Sequence, residues 1–306
     1  MTFKKKIKIA VLLATYNGEK FIEEQVNSIL KNKPFEINLF VADDLSYDNT
    51  SNILKKIQKA YPKQIFIHIN KERYGSCRNF LNLLINLNLS KYDYVALSDQ
   101  DDLWQENKLS RAVEILKKNY DCFSSSFTSW WHLKNKYKKI KKSYQFTRRD
   151  FIFESPGPGN TFVLKKNFVK DLKSYLMKNK FDNRIKHHDW FIYFFARIKK
   201  YNWFIDNQSN ILYRQHENNE IGVNYGFSGL KKRIKNINNG YWFNQSYYLC
   251  NYFRIKKSFF DKNLLINKST NYLKLSLYFF NARRRLRDKF VFLLVCYFLF
   301  FKRLIR

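Results

Sequence analysis

The fold is decided by an apolar run that ends abruptly in carboxylates, Tyr94-Val95-Ala96-Leu97-Ser98-Asp99-Gln100-Asp101-Asp102. A short apolar run without alternation is typical of a strand buried on both faces of a parallel sheet. Three similar runs precede it, and apolar residues at helical spacing follow each one. The predicted strands are Ile7–Ala14, Leu39–Ala42, Ile65–Ile69 and Tyr94–Leu97. This alternation predicts an α/β fold with three layers around a mostly parallel central sheet.

The composition is that of a folded chain. The 306 residues are 45% hydrophobic and 19% aromatic, with 8 Gly and 4 Pro, which excludes a disordered or collagen-like chain. The four cysteines form no C-x-x-C pair, so neither a zinc site nor a disulfide framework is indicated, and a reducing compartment is expected. The apolar stretch Val11–Ala14 is too short for a signal peptide, and we expect a cytoplasmic protein.

Positive charge is concentrated near the C-terminus. The formal net charge is +32, and residues 228–306 carry 18 Lys or Arg against only Asp261 and Asp288. The sequence therefore divides into a domain over 1–222 and a helical, basic and aromatic extension over 223–306. Such charge indicates an anionic partner, and nucleic acid, anionic lipid and a nucleotide diphosphate all fit.

The acidic cluster after the fourth strand predicts a metal site. Three carboxylates in four residues repel one another unless a cation compensates them. Mg²⁺ or Mn²⁺ bound by Asp99 and Asp101 would do so, leaving positions for substrate phosphate oxygens. Asp102 could instead cap a helix containing Trp104–Leu116, and the whole cluster could be an acidic loop before that helix.

Two other strand ends carry polar or aromatic groups. Asp43 and Asp44 can accept hydrogen bonds from a base or a ribose, although Ser46 and Asp48 also suit a capped turn. Tyr16, after the first strand, can stack on a nucleobase or can be buried in a turn. No G-x-G-x-x-G or G-x-x-x-x-G-K-[ST] motif is present, which argues against a dinucleotide fold and a P-loop NTPase.

Three motifs at these strand ends resemble the signatures of family 2 glycosyltransferases with the GT-A fold. They are Ala-Thr-Tyr-Asn-Gly-Glu at 14–19, Ala-Asp-Asp-Leu-Ser-Tyr-Asp-Asn-Thr at 42–50 and Leu-Ser-Asp-Gln-Asp-Asp-Leu-Trp at 97–104. The last is similar to bacterial rhamnosyltransferase-like members that build surface polysaccharides. The resemblance covers roughly residues 7–222.

The resemblance implies roles for single residues. The nucleotide-sugar-binding set would be Ala14, Tyr16, Asp43, Asp44, Arg78, Asp99 and Gln100. The acceptor-side set would be Gly159 and Asn160 of a Gly-Pro-Gly turn, with Trp190. His188-Asp189-Trp190 matches the family's catalytic-base motif, so Asp189 would be the base. In Tyr213-Arg214-Gln215-His216, the histidine would join Asp99 and Asp101 as a metal ligand.

Together these roles imply inverting, metal-dependent transfer of a sugar from a nucleotide diphosphate sugar to a glycan or lipid-linked acceptor. The donor would be of the dTDP-rhamnose or UDP-hexose type. A nucleotidyl- or phosphotransferase is the alternative, since paired aspartates also serve that chemistry. A nucleic-acid binder using the basic aromatic stretch 130–149 is the third, but it leaves the carboxylates unexplained, so no nucleic-acid partner is expected.

The C-terminal extension ends in arginines at 283–285 and 287 followed by an apolar run, Phe290–Phe301. Twelve residues are too few to span a bilayer but suit a helix lying in its interface. Basic residues beside that run predict attachment to the inner face of an anionic membrane. The alternative is a helix pair that packs on the catalytic domain or forms a homodimer.

Overall fold

The computed structural model describes residues 6–216, 227–266 and 268–304. The predicted boundary at 222/223 and the N-terminal lysines at 4 and 5 lie outside them. The strands are β1 Lys8–Thr15, β2 Glu36–Asp43, β3 Ile65–Ile69, β4 Tyr94–Ser98, β5 Leu103–Trp104, β6 Cys122–Trp131, β7 Lys136–Ile140, β8 Val163–Lys165 and β9 Trp203–Arg214. The helices are α1 Ile22–Leu30, α2 Thr50–Ala60, α3 Ser76–Asn86, α4 Lys108–Leu116, α5 Asp150–Phe153, α6 Lys166–Lys178, α7 His188–Ile198, α8 Phe227–Asn238, α9 Tyr241–Tyr252, α10 Ser269–Ser276, α11 Phe279–Ala282 and α12 Leu286–Leu304.

These described strands form one mixed sheet in the order β3-β2-β1-β4-β8-β6-β9-β5, with β7 added beside β6. The first four strands are parallel, as predicted from their unbroken apolar runs. Beyond β4, the short strand β8 runs antiparallel to both β4 and β6, and β9 then pairs parallel with β6. The predicted α/β fold is confirmed. The parallel strands β1 to β4 are the ones that the alternation of strands and helices in the sequence predicted.

Alternate residues of β1 face two separate cores, which gives the three layers. Ile9, Val11 and Leu13 point toward α1, α2 and α4, whereas Ala10 and Leu12 point toward α3, α6 and α7. The second core extends without interruption into the C-terminal helices, since Phe253 of the α9 end stacks on the ring of Phe194 with 5.0 Å between centroids. The C-terminal helices are therefore packed on the helices that cover the sheet.

The Leu103–Trp104 segment corrects one prediction. It is a short strand paired antiparallel with β9, and the helix begins only at Lys108. Asp102 is consequently not a helix cap. Its carboxylate is fully buried and accepts hydrogen bonds from the Asn160 side chain and from the Arg214 backbone N–H.

A buried ionic cluster joins the C-terminal helices to α5 and α7. Asp150, which is completely buried, accepts hydrogen bonds from Arg197 at 2.7 Å and from Arg284 at 3.1 Å. Tyr193 donates to the same carboxylate at 2.6 Å, and Arg284 also donates to the Ser155 carbonyl. The prediction that the arginine run faces a membrane is therefore wrong for Arg284.

Most of the remaining outer surface of α12 is apolar. Its inward side buries Phe292, Cys296 and Leu299 in the core, while Phe290 and Leu294 stay exposed. No helix in the described ranges is long and apolar enough to cross a membrane.

We predict that Arg284→Met lowers the free energy of unfolding by about 3–5 kcal/mol, because it leaves the Asp150 carboxylate buried with one of its two guanidinium partners missing. Urea unfolding followed by circular dichroism measures the change. Arg287→Met is the matched control, since that side chain is exposed and its ion pair within the described ranges is with the adjacent Asp288. Equal midpoints for the two variants would contradict the structural importance of the cluster.

Candidate active site

The functional candidates gather at one edge of the sheet because parallel strands place their carboxyl ends together. Thr15 lies beside Asp43 in the register of β1 and β2, and Leu13 lies beside Ser98 in that of β1 and β4. The segments that follow, 16–18, 44–50 and 99–102, therefore emerge side by side. Open α/β sheets bind ligands at this edge.

Gln100 ties two of these segments together. Its Oε1 accepts hydrogen bonds from the Thr15 hydroxyl at 2.6 Å and the Tyr16 N–H at 2.7 Å, and its Nε2 donates to the Tyr16 carbonyl at 3.0 Å. A Cβ at Gly18 would lie 2.6 Å from that Oε1, so the turn requires glycine there. The structure thus places Gln100 where it fixes Tyr16, with both ends of its amide engaged; Ala14, at the end of β1, is half-buried.

The two aspartates after β2 hold neighbouring loops. Asp43 accepts from the N–H and hydroxyl of Ser46, and burial raises the pKa of its carboxyl. Asp44, only 3% exposed, accepts from the backbone N–H groups of Tyr74 and Gly75 at 2.8 and 2.7 Å. Asp43 and Ser46 form a turn of the kind that the capped-turn alternative described, whereas Asp44 binds the neighbouring 70–75 loop.

The loop held by Asp44 and the start of α3 carry arginine and tyrosine side chains at this edge of the sheet. The Arg73 guanidinium lies 3.7 Å from the centre of the Tyr16 ring, and the Arg78 guanidinium lies 4.4 Å from that of Tyr74. A cavity of about 240 Å³ opens beside them, lined also by Asn183 and Lys186. Cations of this kind favour a negatively charged ligand.

Asp101 and His216, predicted as metal ligands from motifs 115 residues apart, are in contact. His216 Nε2 lies 2.9 Å from Asp101 Oδ2, and both side chains are mostly buried. Arg214 fixes the loop by donating to the Asp101 carbonyl at 2.9 Å. A carboxylate and an imidazole are suitable donors for Mn²⁺, and a carboxylate for Mg²⁺, so this pair fits the implied ion. In the described part of the chain, no three His, Cys, Asp or Glu side chains converge to hold a metal alone.

Behind the acidic loop lies a buried lysine that sequence analysis missed. Lys108 is 1% exposed, its Nζ lies 3.0 Å from the centre of the Trp104 ring, and it has no hydrogen-bond partner among the described residues. Burial lowers the pKa of Lys108 and raises that of Asp102. The signal was present, since Lys108 shares the buried face of α4 with Ala112 and Ile115.

The predicted acceptor side lies at the start of α7. Asp189 is half-buried in its first turn, and its Oδ1 accepts from the Trp190 N–H at 2.8 Å. Trp190 is buried and donates its indole N–H to the Phe151 carbonyl. A Cβ at Gly159 would overlap the His188 ring, so glycine allows the Gly159–Asn160 turn to approach α7 closely. Trp190 thus anchors the first turn of α7, on which Asp189 lies, to the Phe151 carbonyl.

Tyr213 is buried beneath the site. Burial raises the pKa of the Tyr213 hydroxyl, and the negative charges of four aspartates raise it further: Asp102, Asp99, Asp101 and Asp189. Of the predicted set, Asp44 is directed instead into the 70–75 loop at the same edge.

Comparison with known proteins agrees with this geometry. Residues 10–241 match the sequence family described as glycosyl transferase family 2. The dTDP-rhamnosyl transferase RfbG of Shigella flexneri is 37% identical over 286 residues, covering 92% of this chain and 98% of that protein. An uncharacterized glycosyltransferase of Mycoplasma genitalium, MG060, is 32% identical over 41% of this chain and 43% of its own length.

Solved structures share the fold at low sequence identity. Residues 1–349 of Staphylococcus aureus TarS in complex with UDP superpose with a TM-score of 0.57 at 15% identity, over 92% of this chain and 77% of that one. The mannosyltransferase PcManGT from Pyrobaculum calidifontis, in complex with GDP-Man and Mn²⁺, gives 0.52 at 13% identity, over 97% and 88%. The chain therefore belongs to glycosyl transferase family 2, has the GT-A fold, and is a glycosyltransferase that uses a nucleotide-sugar donor.

Proposed function

We propose that this enzyme transfers rhamnose from dTDP-rhamnose, with inversion, to a hydroxyl of a glycan or lipid-linked oligosaccharide during polysaccharide synthesis. The observation that carries the proposal is the 2.9 Å contact between Asp101 and His216 at the edge of the sheet where β4 ends. The similarity to a dTDP-rhamnosyl transferase along nearly the whole chain supports rhamnose over a UDP-hexose.

The donor would lie along the sheet edge between β1, β2 and β4. Tyr16, held by Gln100, presents an aromatic ring suited to a nucleobase. Arg78 lines the cavity and would supply positive charge for the nucleotide. Asp43 and Asp44 hold the neighbouring loops in place by accepting hydrogen bonds from their backbone N–H groups. Ala14 and Asp99 complete the proposed donor set.

Asp101 and His216, with Asp99 beside them, would hold Mg²⁺ or Mn²⁺. When bound, the ion neutralises the diphosphate charge that grows as the glycosidic bond breaks. The preformed contact of 2.9 Å between Asp101 and His216 means that the protein positions these two groups in advance. Arg214 maintains that position by binding the Asp101 carbonyl.

Asp189 would act as the general base. As the acceptor oxygen forms its bond to the anomeric carbon, the hydroxyl proton passes to the Asp189 carboxylate and the bond to the nucleotide diphosphate breaks. The Trp190 N–H holds one carboxylate oxygen at 2.8 Å, which leaves the other to receive the proton. One base and one displacement invert the anomeric configuration, and no covalent enzyme intermediate is required. Gly159 and Asn160, which are buried, would support the acceptor side, with the Asn160 amide held by Asp102.

The reaction class is tested by incubating the protein with dTDP-rhamnose, Mn²⁺ and a glycan acceptor. Release of dTDP is expected. Release of pyrophosphate would instead indicate a nucleotidyltransferase, and preference for UDP-hexoses over dTDP-rhamnose would overturn the proposed donor.

We predict that Asp189→Asn lowers kcat about 10²–10⁴-fold because the amide cannot accept the proton. Binding of dTDP-rhamnose, measured by thermal shift, is expected to be unchanged, since Asp189 lies on the acceptor side. Asp261→Asn, the same change at a helix cap in the C-terminal extension, is the control. Turnover of Asp189→Asn at the wild-type rate would remove this residue from the mechanism.

We predict that EDTA abolishes transfer and that His216→Gln raises the Mn²⁺ concentration for half-maximal activity at least about tenfold, because one ion ligand is weakened. Manganese titration of the initial rate measures this effect. His68→Gln, in exposed strand β3, should behave as wild type. An unchanged titration curve for His216→Gln would show that this imidazole holds no metal.

We also propose that the outer face of α12 lies on the cytoplasmic surface of an anionic membrane, where a lipid-linked acceptor would be found. Phe290, Leu294 and Phe301 are about half exposed or more, and Arg287 and Lys289 lie beside them. An apolar face with basic neighbours suits the interface of an anionic bilayer. A homodimer formed through the same face is the competing arrangement.

We predict that Phe290→Ser/Leu294→Ser abolishes co-sedimentation with phosphatidylcholine–phosphatidylglycerol vesicles without unfolding the protein, since both side chains are exposed. Met177→Ser, an exposed position on α6, is the control. Light scattering of the wild type without lipid tests the dimer. Sedimentation of the double variant equal to wild type, or a dimer that the double variant dissociates, would contradict membrane binding by this face.

A further inference from the structure

A cluster of aromatic rings lies where the C-terminal helices meet the start of α7. Gly240, with φ of +64°, turns the chain into α9, so that Tyr241 and Trp242 face His187. The Tyr241 hydroxyl lies 3.0 Å from His187 Nε2, and the Trp242 ring stacks on the His187 ring with 5.4 Å between centroids. His187 is the N-cap residue of α7, two positions before Asp189.

Trp242 differs from the tryptophan beside it. Trp190 is 3% exposed and its indole N–H is bonded to the Phe151 carbonyl. Trp242 is 36% exposed, and its indole N–H makes no hydrogen bond within the described ranges. The centroids of the two rings are 6.4 Å apart, so the exposed ring lies beside the residue that follows the proposed base in α7. Tryptophan side chains are usually more deeply buried, and a partly exposed one that is held among other rings favours a binding role.

The ring is also held in place. Gln245 of α9, only 4% exposed, accepts a hydrogen bond from the Lys186 N–H at 2.9 Å and donates to the Arg184 carbonyl at 3.0 Å. These two hydrogen bonds fix residues 184–186, which lead into α7, against α9. The position of the Trp242 ring relative to the start of α7 is therefore set by the fold, which lowers the entropy lost when a ligand binds.

We propose that Trp242 is a stacking platform for a pyranose ring of the acceptor, so that the C-terminal extension completes the acceptor site. This inference depends on the proposed function, in which Asp189 marks where the acceptor hydroxyl reacts. A sugar suits the surface because its C–H face packs on an indole while its hydroxyls require polar neighbours. The Tyr241 hydroxyl, His187 and the exposed Lys186 supply those neighbours.

Saturation-transfer NMR with octyl glycosides of rhamnose, glucose and N-acetylglucosamine, used below their micelle concentrations, tests the platform without requiring transfer. Wild type should saturate the ring protons of one sugar face in at least one glycoside. Trp242→Ala and Trp242→Leu should weaken that glycoside's binding about tenfold or more, whereas Trp242→Phe should retain most of it. Tyr61→Ala removes a 42% exposed aromatic ring from the end of α2 and should have no effect.

In the transfer assay the same variants should raise the acceptor KM and leave the dTDP-rhamnose KM unchanged. The Leu variant preserves apolar bulk, so the comparison stays informative if the Ala variant unfolds. The proposal is overturned if wild type binds none of the glycosides, or if Trp242→Leu binds them as wild type does. If glycoside binding depends on Trp242 but dTDP-rhamnose is not a substrate, the proposed donor fails and the platform stands.

Discussion

Carboxylates at the end of β4 repel one another, and much of the surrounding structure offsets that repulsion. Asp102 is withdrawn from solvent and accepts hydrogen bonds from Asn160 and the Arg214 backbone. Lys108 lies beneath the loop, and its interaction with the Asp102 and Asp99 charges opposes the effect of its own burial. Asp101 is left to contact His216 at the surface of the site. The chain thus withdraws Asp102 from solvent and leaves Asp101 in contact with an imidazole.

The acidic loop after β4 is also held in position by hydrogen bonds and by contacts between a cation and aromatic rings. Gln100 binds the end of β1, and the Arg214 guanidinium lies between the rings of Phe21 and Trp130, 4.5 and 4.4 Å from their centres. Contacts made by Gln100 and Arg214 therefore hold the loop that carries Asp99 and Asp101. Precise positioning of charged groups in a partly buried site is a large source of catalytic rate in enzymes generally.

Sequence analysis predicted the parallel half of the sheet and the carboxylates at its edge, because both leave local signals. A strand buried on two faces requires a run of apolar residues, and polar residues at its carboxyl end stand out against that run. Short antiparallel strands such as Leu103–Trp104 leave no such signal, since their pairing depends on distant β9. Arg284 was misassigned for the same reason, because its partner Asp150 lies 134 residues away. His216 was predicted only through its motif, as nothing within 20 residues of it indicates Asp101.

The larger of the two cores has a consequence for synthesis of the protein. It contains Ala10 and Leu12 of the first strand together with Cys296 and Leu299 of the last helix. That face of the first strand is covered by α3, α6 and α7, so its apolar side chains stay uncovered until residues up to 198 have left the ribosome, and the core is complete only after the last helix has followed. Contacts between distant segments slow folding, and uncovered strands favour aggregation. Chaperones that bind nascent chains would therefore have most to protect in the first hundred residues.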